Sequence, residues 1–540
     1  MRQMREIPAG AGAPFIYCAR VAAEENAAVL VAPQHSPFVV SHRRVFFQEV
    51  GPFHPDEFHQ PLDVALVDFC RGDAAAIGAG QTVRRFSHFF GDALQTPLHE
   101  VVTLQPGAKP AILLALLLAH AAYLDEIGQH SFRVQGAANV EWFHMSTVET
   151  QQEFYRIQKL PPYVFAVINE MKAKARAAQQ DVVDLGMGNP DGATPRAVVN
   201  KMVEATRNPR NHRYSMSRGI PRLREEIVKR YKDRYSVELD PETEAIATIG
   251  AKDALAHLLF AVIGPGDIVA SPNPAYPIHQ YGVIMAEGHA CTIPMPDPAS
   301  FLNSLEDLYR TSRKPKMILV SFPHNPTTQC VEIDFFRELV PMAAKHGTVI
   351  VHDFAYADLG FDGYQPPSLL QVDGAKEIGV EIFSLSKSFN MAGWRVGFCL
   401  GNKRLIGALA RIKSYLDYGI FQPIQIASII ALRECQEETE RIRETYQRRR
   451  DVLIQGLDRA GWHVEPPRGT MFVWAPVPEP WREGGSLEFS KLLLERALVA
   501  VSPGIGFGPL GEGYVRFALV ENDHRLKQAT ASIKKFMRGA

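Results

Sequence analysis

The chain has 540 residues, 46% of them hydrophobic and 22% charged, with a formal net charge of −1. This is ordinary globular composition, with length for about three to four domain-sized units. The near-neutral balance removes the electrostatic case for nucleic acid. The six cysteines are scattered, with no CxxC pair, which fits a reduced, cytoplasmic setting better than a disulfide framework or a metal site.

In chain order, the opening MRQMREIPAGAGAPF carries arginines but no apolar run behind them, so no secretory signal is expected. The longest apolar run, 111–124 (AILLALLLAHAAYL), is interrupted by His120. It falls short of the roughly 20 residues that span a bilayer, so a buried helix is expected there and no membrane anchor. Residues 1–144 hold one lysine, Lys109, against nine arginines, and 14 acidic residues against 10 basic ones. Composition changes at Met145. Three explanations compete: Met145 is the true start, the first 144 residues are an accessory domain, or they form a DNA-binding arm. The acidic balance argues against the third.

From residue 180 onward, short apolar runs alternate with helical stretches. Residues 316–322 (KMILVSF), 348–352 (TVIVH), 381–385 (EIFSL) and 396–400 (VGFCL) read as buried strands. Residues 334–346 (DFFRELVPMAAKH) read as a helix between two of them. The alternation predicts an α/β fold around a mainly parallel sheet, covered on both faces. Ligands in such sheets bind beyond the carboxyl ends of the strands. There the sequence supplies Asn325 after the first of these runs, Asp353 and Tyr356 after the second, and Ser386 and Lys387 after the third. A single aspartate or lysine in such a place is usually a helix cap or a solvated surface group. Three strands delivering polar groups to one edge, with Arg395 nearby, predict a site.

The ordered motifs MGNPDGATP (187–195), YSMSRGIPRLREEI (214–227), NPAYPIH (273–279), NPTTQC (325–330), HDFAYADL (352–359), SLSKSFNMAGWRVGF (384–398) and YVRFALVEN (514–522) carry a resemblance. From about 154 to 536 the chain resembles the fold-type I, pyridoxal-phosphate-dependent aminotransferases of class I/II, and within them the alanine (glutamate–pyruvate) aminotransferases. The resemblance implies a homodimer and a ping-pong exchange of an amino group, alanine with 2-oxoglutarate being the expected pair. It implies that Lys387 holds the cofactor aldehyde and moves the substrate proton, an amine being suited to both tasks. Asp353 then faces the pyridine nitrogen. Asn325 and Tyr356 bond the ring's 3′ oxygen, and Tyr276 stacks on the ring. Ser384, Ser386 and Arg395 hold the phosphate, together with Gly250, Ala251 and Lys252 at a helix start. Lys252 stands where the wider class commonly has Ser or Thr. Tyr214 reaches the phosphate of the neighbouring subunit. Arg516 clamps the substrate carboxylate, beside Asn325, and Gly188 lets the backbone pass close to the substrate.

The expected layout is a large cofactor-binding domain over 195–430, with the sheet and Lys387. A small domain combines 150–194 with 431–540. Residues 1–144 form an extension. Other readings remain on the same motifs: an aminotransferase for another amino acid such as diaminopimelate, a pyridoxal-phosphate β-lyase, or a transcription regulator with an aminotransferase-like sensor. The last requires a basic N-terminal module, which residues 1–144 do not supply.

Overall fold

The computed structural model describes residues 154–161, 164–311 and 313–539, and, in the first 153 residues, the backbone of five short strands. The chain divides into two compact units, 1–153 and 154–540. In the first unit, β1 (Tyr17–Ala23), β2 (Asn26–Ala32) and β3 (Phe46–Glu49) form an antiparallel sheet in the order β2-β1-β3. β4 (Val101–Thr103) and β5 (Arg133–Gln135) pair in parallel. The apolar run at 111–124 and the compositional break at Met145 lie outside the described residues.

The second unit opens with helices Tyr155–Gln158 and Phe165–Ala177, and its first strand is the short β6 (Val183–Asp184). Its main sheet has seven strands: β7 (Ala245–Thr248), β8 (Ile268–Asn273), β9 (His289–Pro294), β10 (Met317–Val320), β11 (Val349–Asp353), β12 (Gly379–Ser384) and β13 (Gly397–Gly401). Their order is β7-β13-β12-β11-β10-β8-β9. β13 runs antiparallel to both neighbours, and the other pairs are parallel. The expected α/β fold with a mainly parallel sheet is therefore present.

Both faces of this sheet are covered, which explains the unbroken apolar runs. Side chains alternate across a strand. Ile318 and Val320 accordingly pack with Phe301, Phe336 and Phe398, and Met317 and Leu319 with Leu255, Leu258 and Ile406 on the opposite face. Helices Pro298–Arg310 and Ile333–Lys345 supply the first layer. Helices Ala251–Val262 and Lys403–Leu416 supply the second.

Two boundaries differ from the sequence reading. The strand expected at 316–322 ends at Val320. Phe322 instead turns its N–H to His352 Nε2 at 3.2 Å, ahead of Pro323, which has no N–H for a ladder. The strand expected to reach Leu385 stops at Ser384, whose hydroxyl accepts from the Ser386 N–H at 3.2 Å and caps the four-residue helix Leu385–Ser388.

The remaining strands are β14 (Phe472–Pro476), β15 (Val499–Ala500), β16 (Ser502–Pro503) and β17 (Tyr514–Ala518). β14, β17 and β16 form an antiparallel sheet, and β15 pairs with β6. A separate apolar cluster joins Val183 and Leu185 to Leu453, Phe472, Val515 and Phe536. Among the described residues no helix is long and apolar enough to cross a membrane.

Candidate active site

β10, β11 and β12 are parallel neighbours, so their carboxyl ends open on one edge of the sheet. β11 ends on Asp353, and β12 leads directly into the short helix that carries Lys387. The Lys387 ammonium is half-buried and donates to the Gly188 carbonyl at 2.7 Å. Burial, and then the guanidinium groups of Arg516 and Arg395, push its pKa down from 10.5 to about 7. The amine is thus available as a nucleophile near neutrality.

Arg516 arrives from β17 and is buried. It donates to Asn325 Oδ1 at 2.7 Å, to the Gly186 carbonyl at 3.2 Å and to Ser502 Oγ at 3.4 Å. Its guanidinium carbon lies 3.9 Å from the centre of the Phe472 ring and 4.6 Å from that of Phe507. This aromatic seat fixes the plane of the fork. Asn325 turns its amide N–H toward the Tyr356 hydroxyl at 3.4 Å. Burial raises the Tyr356 phenol well above its usual range, partly offset by Arg516.

One oxygen of Asp353 meets His279 Nε2 at 2.9 Å. The other, Oδ1, is buried with no hydrogen-bond partner among the described residues. Tyr276 precedes the helix Pro277–Met285 that carries His279, and the two rings meet edge to face with centres 6.0 Å apart. Lys252 Nζ lies 5.2 Å from the centre of the Tyr276 ring.

A second group of predicted residues collects around the start of helix Ala251–Val262. Gly250 has φ +87°, and a Cβ there would lie 2.6 Å from Arg395 Nη2. The positive φ favours glycine, and a side chain there would push the Arg395 guanidinium aside. Arg395 donates to the Ala392 carbonyl at 3.1 Å and to Ile249 O at 3.5 Å. Ser386 is buried at the start of the Lys387 helix, behind the Ser384 cap. Tyr214 stands apart from these groups: it is 86% exposed, with its ring 4.7 Å from that of Tyr418.

Residues 180–533 match the family model "Aminotransferase class I and II". The chain is 52% identical over 395 residues to the glutamate-pyruvate aminotransferase AlaC of Escherichia coli K12, covering 73% of this chain and 96% of that one. It is 42% identical over 380 residues to the LL-diaminopimelate aminotransferase of Halothermothrix orenii, covering 70% of this chain and 97% of the relative. Among solved structures, substrate-bound BacF from Bacillus subtilis superimposes with a TM-score of 0.65 at 35% identity, over 71% of this chain and 96% of that one.

The chain belongs to the class I and II aminotransferases. It is a fold-type I, pyridoxal-phosphate-dependent enzyme that moves amino groups between amino acids and 2-oxo acids. The residues of this aminotransferase fit the cofactor. The partnerless Oδ1 of Asp353 suits a protonated ring nitrogen. The glycine at the helix start, with Arg395 against it, suits a phosphate. The low pKa of Lys387 suits condensation with an aldehyde.

Sequence reasoning missed several members of the aminotransferase site. His279 falls inside the quoted NPAYPIH stretch, but one histidine early in a helix has no distinguishing pattern. Phe472, Phe507 and Ser502, which seat Arg516, look like core and strand residues in sequence.

Proposed function

We propose that this aminotransferase exchanges the amino group of L-alanine with 2-oxoglutarate, giving pyruvate and glutamate by a ping-pong route. The observation that carries the substrate pair is the greater identity to the glutamate-pyruvate relative than to the LL-diaminopimelate one. LL-Diaminopimelate is the second reading, because that relative also matches over nearly its whole length. Bound pyridoxal phosphate supplies the electron sink and carries the amino group between half-reactions.

The protein groups then have these roles. Lys387 would hold the cofactor aldehyde and move the proton at the substrate α-carbon, its burial and the nearby Arg516 and Arg395 favouring the neutral amine. Asp353, steadied by His279, holds the proton on the pyridine nitrogen. Tyr356 and Asn325 bond the 3′ oxygen, and Tyr276 covers a ring face. Ser384, Ser386, Arg395, Gly250, Ala251 and Lys252 hold the phosphate. Arg516 binds the α-carboxylate with a fork oriented by Asn325 and Phe472. Gly188 brings the backbone close to the substrate.

We assign 195–430 to a large domain, and 150–194 with 431–540 to a small one, on the support of an apolar cluster drawn mostly from Val183, Leu185 and the residues from Tyr446 to Phe536, which Tyr356, Leu359 and Phe361 of the large domain join. We assign a cytoplasmic homodimer, in which the exposed Tyr214 reaches the neighbouring subunit's phosphate. The free Cys291, Cys330, Cys399 and Cys435 agree with a reducing compartment.

The test is a product assay on the full chain loaded with pyridoxal phosphate. L-Alanine with 2-oxoglutarate is expected to give pyruvate and glutamate in equal amounts, with Lys387→Ala inactive. Faster turnover of LL-diaminopimelate moves the enzyme to the second reading. Release of thiol, pyruvate and ammonia from an S-substituted cysteine, without nitrogen transfer, identifies a β-lyase. Cofactor binding without turnover of any amino acid identifies a sensor.

A further inference from the structure

The strands that carry the site also hold a buried polar pair that the reaction does not use. His352 of β11 and Glu381 of β12 are neighbours in the parallel register, and neither is exposed to solvent. His352 Nδ1 meets Glu381 Oε1 at 2.6 Å. The same carboxylate accepts the Ser368 hydroxyl at 2.6 Å and the Leu369 N–H at 2.6 Å. The Ser368 oxygen in turn accepts the Leu370 N–H at 3.1 Å, so its own proton is directed to Glu381. Three donors thus converge on Glu381, which suits an acceptor-only carboxylate. The imidazole packs against Phe354, stacked with ring centres 4.7 Å apart, and against Phe336 at 4.9 Å.

The other ring nitrogen faces the segment that leaves β10 for the site. His352 Nε2 stands 3.2 Å from the Phe322 nitrogen and 3.1 Å from the Phe322 carbonyl oxygen. A neutral ring serves only one of these. It accepts the N–H if its proton sits on Nδ1, and donates to the carbonyl if its proton sits on Nε2. The carboxylate beside Nδ1 decides, because it draws the proton to that side and leaves Nε2 as the acceptor. Phe322 is buried beyond the end of β10, and this bond satisfies its N–H there. Three residues on, Asn325 receives Arg516 at 2.7 Å and turns its amide toward the Tyr356 hydroxyl at 3.4 Å.

We propose that Glu381 and His352 are positioning residues that fix the Phe322 backbone, and through it the placement of Asn325 against the cofactor's 3′ oxygen and Arg516. The proposal rests on the roles given to Asn325 and Arg516 above. The tether is short, since only Pro323 and His324 separate Phe322 from Asn325. The turn that follows is closed on itself: the His324 N–H donates to the Gln329 carbonyl at 2.9 Å, and the His324 carbonyl accepts the Thr328 N–H at 2.8 Å. It therefore shifts as a unit with its entry at Phe322, and Asn325 shifts with it. A misplacement of about 1 Å at such a group costs on the order of 100-fold in rate.

The test uses the full-length chain loaded with pyridoxal phosphate. It reads the pH titration of the bound cofactor's absorbance, and the KM for the amino acid and the 2-oxo acid. Asn325→Ala sets the scale. An oxyanion with fewer donors holds a neighbouring proton more tightly, so the titration is expected to move up by about 1 pH unit, with both KM values up about tenfold. His352→Phe keeps the aromatic packing and removes both bonds. It is expected to give about half of the Asn325→Ala shift or more, with KM raised in the same direction. His352→Gln places an amide oxygen near the position of Nε2 and is expected to recover most of both changes. Glu381→Leu is expected to follow His352→Phe, and Glu381→Gln, which keeps an acceptor for Nδ1, to stay near the parent. Leu305→Ala opens a cavity in the same apolar layer and is expected to lower thermal stability without moving the titration. If neither His352→Phe nor Glu381→Leu folds, hydrogen exchange at the Phe322 amide of the unaltered, cofactor-free chain decides: slow exchange is expected, and free exchange overturns the proposal. An Asn325→Ala shift that His352→Phe and Glu381→Leu do not reproduce overturns the relay and leaves the role of Asn325 standing. A Leu305→Ala shift as large as theirs assigns the effect to general loosening and overturns it too. No shift in Asn325→Ala overturns the role of Asn325, and the proposal with it.

Discussion

His279 Nε2 lies 2.9 Å from one oxygen of Asp353, and the other oxygen of that carboxylate is buried with no partner among the described residues. The aspartate is thus held on one side and left open on the other. This geometry leaves a charge open to a cationic group, as the role proposed for Asp353 at the protonated ring nitrogen requires. His279→Ala removes the fixed side and leaves that oxygen unsatisfied, at about 1–3 kcal/mol. The expected result is a fall in kcat/KM of about 5- to 150-fold with cofactor still bound. Steady-state kinetics and the absorbance of the bound cofactor check it. Unchanged kinetics in the presence of bound cofactor would remove His279 from the site.

Lys387 makes the cofactor-free protein pH-dependent in a defined direction. Its pKa in the fold is about 7 against 10.5 for an ordinary lysine. Between those values the unfolded chain binds a proton that the folded chain does not, so folded stability rises with pH. Below about pH 7 both states are protonated and the full penalty of the buried ammonium is present. Lys387→Met abolishes this dependence. The variant's stability relative to the cofactor-free parent is expected to be greater at pH 6.5 than at pH 9, by about 2 kcal/mol. Urea denaturation at the two pH values measures it. The same stability difference at both would mean that the lysine is not perturbed.

Arg516 presents a fork whose plane is set by Phe472, Phe507 and Asn325. Lysine keeps the charge but loses the bidentate geometry and the stacking. For Arg516→Lys the expected change is a rise of about 100-fold in KM for both the amino acid and the 2-oxo acid, within the 2–5 kcal/mol typical of a disrupted buried charge contact. Affinity for pyridoxal phosphate should stay close to that of the parent. A loss confined to cofactor binding would place the residue at the phosphate instead.

The legible and illegible parts of this site differ in physical kind. Lys387, Asp353 and Asn325 were readable because each follows a buried strand, where a polar side chain stands out against an apolar run. The parallel sheet then brings these strand ends together. Gly250 was readable as a glycine at a helix start, and it stands between strand Ala245–Thr248 and helix Ala251–Val262. The seat of Arg516 was not readable. Phe472, Phe507 and Ser502 come from separate segments whose registers are set by long-range pairing of β14, β16 and β17. Their residue types are those of any core. The Glu381–His352 pair was hidden for a related reason. Each reads as a polar break in an apolar strand, and only the register of β11 and β12 sets the two side by side.

Gly188 is where its loop, the Phe472 ring and Lys387 meet. Its carbonyl accepts from Lys387, and a Cβ at this position would come within 2.7 Å of the Phe472 ring. That ring lies against Arg516 and meets Tyr356 edge to face at 5.7 Å. Gly188→Ala must therefore displace either the loop or the ring, at about 1–3 kcal/mol for an overpacked contact. The expected result is a rise of about tenfold in the amino-acid KM, with cofactor affinity nearly unchanged. Shortening the obstacle should relieve the strain, so Phe472→Leu combined with Gly188→Ala is expected to cost less than the sum of the two single changes. Contacting residues show such coupling, and independent ones do not. Strict additivity in KM would show that the loop moves away from the ring and that Phe472 does not transmit the change to Arg516.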